Sequence, residues 1–191
     1  FINIDSLDYN KLIEEQKKHS KRKWLNKELT KYYKCKIKVD SLKLKGKLRT
    51  KGLLLQNYEF KKGYFSYKIK LKKNTLNNLR KFYLNYPKKR NNLHEWYGEK
   101  LLKYHGLINQ KNLFYNVYIN HIDKGLYLFE ESFDINLLKH NQRPLGPIIY
   151  FSKEKLIKYG TNNYGETFFM ADLLSQYPNE YSPRAKELLI G

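Results

Sequence analysis

The chain has few of the residues that cross-link a fold or anchor it in a membrane. Its single cysteine, Cys35, cannot form an internal disulfide, and no Cys/His cluster has metal-ligand spacing, so we expect no structural zinc. No apolar run approaches the roughly 20 residues that a membrane-spanning helix requires. The first residue is Phe1 rather than Met, which predicts that the chain is an excerpt of a longer protein.

Acidic residues are also scarce. The chain has 18 Asp and Glu against 38 Lys and Arg, a formal net charge of +20. Clustered cations bind nucleic acids by releasing counterions from phosphates, so one interpretation is a nucleic-acid or anionic partner. The other is compositional, because Lys, Asn, Tyr and Ile are abundant together, as low-GC coding produces, and their charges are then solvated surface. The composition favours the second interpretation.

Hydrophobic periodicity changes along the chain. It predicts a helix over Leu7–Leu29, then period-two strands from Lys34 to Lys51 and from Phe65 to Leu71, with lysines on one face and apolar residues on the other. A shorter strand contains Phe82 and Leu84. We expect an antiparallel sheet with one buried face.

The second half of the chain predicts a helix, a hairpin and further short helices. Leu93, Trp96, Tyr97, Leu101 and Tyr104 share one helical face, with Gly106 as the stop signal. Leu113–Ile119 and Gly125–Phe129 then form a hairpin around the turn Asn120–Lys124. We therefore predict an N-terminal helical segment (1–33), an α+β domain (34–151) and a second helical segment (152–191).

A set of short motifs resembles the CotH kinase family of atypical, secreted or membrane-linked kinase-like proteins. The motifs, in order, are Arg49-Thr50-Lys51-Gly52, Ser66-Tyr67-Lys68-Ile69-Lys70, Lys81-Phe82-Tyr83-Leu84-Asn85, Glu95-Trp96, Asn120 to Glu131, Asn141-Gln142-Arg143 and Gly146-Pro147-Ile148-Ile149. The resemblance covers roughly Lys34 to Phe151. It implies an α+β fold in which helices pack on an antiparallel sheet, like the small lobe of a protein kinase, followed by the start of the large lobe.

The resemblance also implies roles for individual residues. Gly52 begins a loop, to Gly63, in the position that covers nucleotide phosphates, and Lys68 and then Lys70 are the candidate phosphate contacts. Glu95 would hold Lys68, although helix geometry also permits Glu99. Glu130 and Glu131 would begin the hinge between the lobes, where backbone groups meet the adenine. The implied cofactors of the full-length protein are ATP and Mg²⁺.

The implied activity is phosphoryl transfer from ATP to a Ser or Thr of a protein substrate, in the bacterial cell envelope or a membrane-linked setting. Catalytic and metal-binding residues belong to the large lobe, and the chain stops at Gly191 before any can be matched, so we expect this portion to be inactive alone. Leu53 also departs from the family, which has Asp or Asn there. Two alternatives stay open: a noncatalytic basic module whose lysines and tyrosines hold nucleic acid or another anionic polymer, and a pseudokinase scaffold.

Overall fold

A computed structural model describes residues 1–20, 30–51, 58–59, 63–90, 93–146, 149–151 and 173–175. The chain divides into two compact units, residues 1–132 and 133–191. Within the described ranges, we find no helix with the length and apolarity that a membrane span needs.

The first unit consists mainly of strands. Its elements, in chain order, are β1 (Ile2–Ile4), α1 (Ser6–Ser20), β2 (Tyr33–Val39), β3 (Leu42–Lys51), β4 (Tyr58–Glu59), β5 (Tyr64–Leu71), β6 (Lys81–Asn85), a 3₁₀ turn (Pro87–Arg90), α2 (His94–Tyr104), β7 (Asn112–Ile119) and β8 (Ile122–Glu131). The period-two segments are strands, as the alternation predicts. The predicted first helix begins close to its expected start, and residues 21–29 of that prediction lie outside the described residues.

The second unit is described only in part. It contains the short helix α3 (Ile135–His140), whose N-cap Asp134 accepts a hydrogen bond from the backbone N–H of Asn136 at 3.0 Å. Strand β9 (Ile149–Phe151) pairs antiparallel with β10 (Leu173–Ser175). Most of the predicted helical segment 152–191 lies outside the described residues.

Seven strands of the first unit close into a barrel. The strand order is β3, β2, β1, β7, β8, β6, β5, and β5 pairs in turn with β3. Every pairing within this ring is antiparallel except that of β1 with β7, which is parallel. Closure leaves these seven strands without a free edge, the arrangement that protects a sheet from pairing with other chains.

Alternation along the strands separates an apolar interior from a charged exterior. In β2, for example, Tyr33, Cys35 and Ile37 are buried while Lys34 and Lys36 are exposed. The buried cluster also includes Leu44, Leu48, Phe65, Tyr67, Ile69, Leu71, Phe82, Leu84, Val117, Ile119, Tyr127 and Phe129. A packed hydrocarbon and aromatic interior therefore stabilises the barrel.

Helix α1 packs against the barrel. Leu12 has no exposed surface and belongs to the barrel's buried cluster, and Gln16 is 2% exposed. Gln16 Nε2 donates a hydrogen bond to Thr50 Oγ1 at 3.4 Å, which satisfies a polar group at the end of β3. The helix thus covers the barrel end at which β3 finishes and β2 begins.

The hairpin between β7 and β8 is tighter than the predicted turn Asn120–Lys124. Strand β8 already begins at Ile122, which leaves a two-residue turn of Asn120 and His121 with φ values of 47° and 67°. A two-residue hairpin turn of type I′ requires positive φ at both of its central residues, and asparagine tolerates positive φ better than most residues.

The prediction of a kinase-like α+β lobe with packed helices is wrong. The sheet is a closed barrel of seven strands, because β3 pairs with β5 and because β1, inside the predicted helical segment 1–33, bridges β2 and β7. The helix predicted to pack on the sheet, α2, has no buried residue, and Leu93, Tyr97, Leu101 and Tyr104 on its apolar face are exposed. The core is formed by strands facing one another, with α1 at one end.

Candidate functional site

The outer surface of β2, β3, β5 and β6 carries a dense array of positive charge, here called the basic face. Its cations are Lys34, Lys36, Lys38, Lys43, Lys45, Lys47, Arg49, Lys51, Lys68, Lys70 and Lys81. They point outward because the residues between them on each strand point into the core. Strand alternation alone therefore assembles this surface.

The register of the strands places cations opposite cations. Six cross-strand pairs join two positive residues: Lys34 with Lys47, Lys36 with Lys45, Lys38 with Lys43, Lys47 with Lys70, Arg49 with Lys68 and Lys70 with Lys81. Like charges directly opposite each other destabilise a sheet, since their Cβ atoms are only about 5 Å apart. Electrostatic repulsion between the cations of the basic face therefore lowers the stability of the barrel.

Tyr32 lies at the centre of three of these cations. The ring centroid is 5.0 Å from Lys47 Nζ, 5.0 Å from Lys70 Nζ and 5.5 Å from Arg49 Cζ. The negative face of an aromatic ring attracts cations at such distances and offsets part of their mutual repulsion. Tyr32 therefore helps to hold three positive charges together on one patch.

A second aromatic side chain, Tyr83 on β6, contacts two further cations. Lys51 Nζ lies 3.8 Å and Lys68 Nζ 5.3 Å from its ring centroid. Burial raises the pKa of the Tyr83 hydroxyl, and a hydrogen bond with Ser132 opposes that increase. Tyr83 is therefore a neutral, half-buried platform beneath two lysines.

Lys51 is also held by polar groups from two other strands. Its ammonium donates to Asn85 Oδ1 at 2.9 Å and forms an ion pair with Glu130 Oε2 at 3.4 Å. Asn85 Nδ2 donates to the same carboxylate oxygen. Strands β3, β6 and β8 thus meet in one cluster of a lysine, an amide and a carboxylate.

Lys68 is a half-buried lysine of the basic face. Burial lowers its pKa, and the positive charges of Arg49, Lys70 and Lys81 lower it further. An anion placed beside these groups would favour the charged form and remove part of the repulsion. An anionic ligand beside Lys68 would therefore stabilise the charged form of this lysine.

The structure brings together some of the residues expected at a nucleotide site and separates others. Lys68 and Lys70 lie on the outer face of β5, as the alternation predicts. Glu130 forms an ion pair with a strand lysine, Lys51, and Glu95 lies in the first turn of α2. Gly52 lies outside the described residues.

Glu95 lines a pocket of about 460 Å³ between α2 and the barrel, together with Glu99, Gln110 and Glu130. Glu99 accepts a hydrogen bond from the backbone N–H of Gln110. The Gln110 side chain in turn donates to the Glu131 carbonyl at 2.6 Å. These contacts join α2 to the end of β8.

Glu131 is fully buried at the end of β8. Its Oε2 accepts a hydrogen bond from the backbone N–H of Lys111 at 3.0 Å, and its own N–H donates to the Lys111 carbonyl at 3.0 Å. The residue thereby ties the end of β8 to the segment that enters β7.

Sequence reasoning did not single out Tyr32, Tyr83 or Lys51 as site residues. Alternation shows that Lys51 and Tyr83 point outward, but only the β3–β5–β6 register shows that they share one surface. Tyr32 precedes β2 and carries no periodic signal.

Comparisons with known proteins add no functional assignment to this geometry. Among the side chains that the structure describes, no three His, Cys, Asp or Glu residues come together as a metal site requires. No protein-family model matches the chain, and no curated protein matches it significantly. The resemblance to the CotH kinase family therefore stays a prediction.

Proposed function

We propose that the basic face binds single-stranded nucleic acid through its phosphodiester backbone, without reading the base sequence. The observation that carries this proposal is the set of six like-charge pairs across β2, β3, β5 and β6. Without an anionic partner these pairs destabilise the sheet. A bound polyanion would place a negative charge beside each of these pairs and so replace the repulsion between two cations with attraction of both to the anion.

The spacing of the cations suits a flexible polymer of phosphates. Neighbouring strands are about 4.8 Å apart, and outward residues along one strand are about 6.7 Å apart, so the cations form a grid rather than one point site. The curved outer surface of a barrel can be followed by a single strand more easily than by a stiff duplex. Each phosphate neutralised by a lysine or arginine releases condensed counterions.

The two tyrosines add a surface on which bases can stack. Tyr32 and Tyr83 are half-buried among the cations. Aromatic rings interleaved with lysines are typical of proteins that bind single strands, because every base has a face that stacks.

The test is the salt dependence of binding to a fluorescent oligothymidine of about 15 nucleotides, followed by anisotropy. We expect the logarithm of the association constant to fall linearly with the logarithm of salt concentration, with a slope of about −0.7 for each phosphate contact. The triple variant Lys47→Gln, Lys68→Gln, Lys70→Gln should weaken binding at least about tenfold in low salt and make the slope shallower by about 2.

A matched control removes the same charge elsewhere. Lys88→Gln, Lys100→Gln, Lys103→Gln changes three lysines on the 3₁₀ turn and on α2. We expect the slope of this variant to stay close to that of the wild type. Equal losses in the two triple variants would show that net charge, rather than the basic face, causes binding, and would overturn the proposal.

A second candidate function, ATP-dependent phosphoryl transfer to a protein in the full-length molecule, is supported by one local arrangement. Lys51 and Lys68 lie together on Tyr83, and Lys51 directly precedes Gly52, where the nucleotide-covering loop is predicted. The two ammonium groups would contact the phosphates of ATP, and Mg²⁺ would be bound chiefly through those phosphates.

The two functions respond differently to the same measurements. ATP binding should require Mg²⁺ and be lost with Lys68→Ala alone, whereas nucleic-acid binding should need no Mg²⁺ and decline gradually as cations are removed. Titration calorimetry with ATP, with and without Mg²⁺, and oligothymidine anisotropy, both repeated with the single variant Lys68→Ala, separate them. Tight oligothymidine binding with no response to Mg·ATP would favour the nucleic-acid interface.

A further inference from the structure

The barrel end that lies away from α1 contains a cavity. It has a volume of about 190 Å³ and is lined by the start of β1, the end of β2, the end of β5, the start of β6 and parts of β7 and β8. Its apolar wall includes Ile37, Ile69, Phe82, Val117 and Phe129, all of which are at most 5% exposed. This end of the barrel is here called the mouth.

The chemistry of the wall excludes most polar occupants. The charged groups on the lining are the side chains of Lys38 and Asp40 and the amino group of Phe1, and they are exposed at the rim, as is Asn116. The wall beneath consists of aliphatic and aromatic side chains. A water molecule needs two to four polar partners to occupy a cavity stably, and an apolar wall does not offer them. A charged ligand would lose its hydration without gaining an ion pair inside.

The volume is suited to a small hydrocarbon. A dry apolar cavity of about 150 Å³ is large enough to bind benzene, as an engineered cavity in another protein shows. The cavity at the mouth exceeds that volume. Its wall is made by strands of a closed barrel, which hold the cavity open without a ligand. The site is therefore formed before any ligand enters.

We propose that the mouth of the barrel is a binding site for a small, uncharged, apolar molecule, an aromatic ring or the end of an aliphatic chain. Except for Lys38, which lies at the rim and also belongs to the basic face, the site is separate from that face, since its wall is made by the inward side chains of the strands whose outward side chains carry the lysines. The strands would thus serve two ligands of opposite chemistry on their two faces.

Benzene and benzoate are the probes that test this site, with the thermal unfolding midpoint and calorimetry as readouts. Benzene should raise the midpoint in a saturable way, because a ligand that binds only the folded state stabilises it. Benzoate has the same ring with a charge and should bind at least about tenfold more weakly. Crystals pressurised with xenon should show the gas between Ile69, Val117 and Phe129.

Filling the cavity should abolish binding. Val39 lies on the lining and is half-buried, so Val39→Phe adds a ring to the space without displacing a fully packed side chain. Leu42, the cross-strand partner of Val39, is 40% exposed and is not on the lining, so Leu42→Phe is the matched control. We expect Val39→Phe to lose the benzene effect and Leu42→Phe to keep it.

Leu76→Phe, at another position on the lining, serves in place of Val39→Phe if that variant does not fold. Loss of benzene binding in a folded filling variant, with unchanged oligothymidine binding, supports the site. No midpoint shift with benzene in the wild-type chain overturns it. A shift that persists undiminished in a folded filling variant overturns it as well.

Discussion

The carboxamide of Asn120 makes two hydrogen bonds with the backbone of Ile4. Asn120 Oδ1 accepts from the Ile4 N–H at 2.7 Å, and Asn120 Nδ2 donates to the Ile4 carbonyl at 3.0 Å. The side chain thereby extends the pairing of β1 with β7, which otherwise registers Ile2 against Ile119. One asparagine both forms the hairpin turn and fastens the strand that closes the barrel.

Asn120→Ala should destabilise the protein by about 2 kcal/mol, because it removes two hydrogen bonds and puts a residue with little tolerance for positive φ at a φ of 47°. Urea unfolding followed by circular dichroism measures the loss. Asn120→Asp keeps the acceptor but not the donor and should lie between alanine and wild type. Asn74→Ala, at an exposed asparagine in the β5–β6 connection, is the control and should change stability by less than about 0.5 kcal/mol. An equal loss at both positions would contradict the role of Asn120.

The local elements of this fold are largely predictable from sequence, while its closure is not. Period two reveals the strands because one face of each is buried. The turn after β5 contains Asn77 and Asn78, both with positive φ, which asparagine tolerates better than most residues. The barrel depends on β1, a strand of three residues next to a long helix. Three residues are too few to establish a period, and the pairing of β3 with β5 is a long-range relationship that alternation does not encode.

The outward direction of the lysines on the basic face was predictable from sequence, but their cross-strand partners were not. Lys68 and Lys70 point outward because Tyr67, Ile69 and Leu71 point inward, and that is a local property. The partners of those lysines, Lys47 and Arg49 among them, are set by strand register. Sequence therefore indicates which residues are charged surface, and the register determines which charges face one another.

The close approach of β3 and β5 at Gly46 offers a direct test of barrel closure. A Cβ at this position would lie 2.8 Å from the Lys70 carbonyl oxygen and 3.2 Å from Leu71 Cδ2. Because the first of these is backbone, Gly46→Ala must push the two strands apart, and we expect a loss of about 1–3 kcal/mol in unfolding free energy.

Gly98 provides the matched comparison for Gly46. It lies within α2, and a Cβ there would meet nothing within 4 Å. Gly98→Ala should therefore stabilise the protein by about 0.5–1 kcal/mol, since alanine loses less backbone entropy than glycine in a helix. Changes of opposite sign in the free energy of unfolding would confirm the close approach of β3 and β5 at Gly46. A neutral Gly46→Ala would show that the two strands are not in close contact.

The single cysteine reports on opening of the barrel. Cys35 points into the core and is 5% exposed, and burial raises the pKa of its thiol to about 12. At pH 8 its thiolate fraction should be about two thousandfold lower than that of a free cysteine with a pKa near 8.5. Labelling by a disulfide reagent should be very slow in native buffer and should accelerate in urea along the unfolding transition. Rapid, complete labelling without denaturant would mean that β2 is not held in a closed barrel.

Reversing the charge of Lys70 should separate stability from binding. Lys70 faces Lys47 on one side and Lys81 on the other, so Lys70→Glu replaces two repulsive cross-strand pairs with two attractive ones. We expect the free energy of unfolding to rise by about 0.5–1 kcal/mol at low salt, and the gain to shrink as salt screens it. Affinity for oligothymidine should fall in the same variant, because a carboxylate now lies within the basic face.

Lys103→Glu makes the same change of charge outside the basic face, in the last turn of α2. It should lower stability by a few tenths of a kcal/mol, about 0.3–0.5, because it exchanges a favourable charge for an unfavourable one at a helix C-terminus. Its effect on oligothymidine binding should be small. If Lys70→Glu lowered stability as well, the repulsion inferred from the register would not exist in solution, and a bound polyanion would have no such repulsion to relieve.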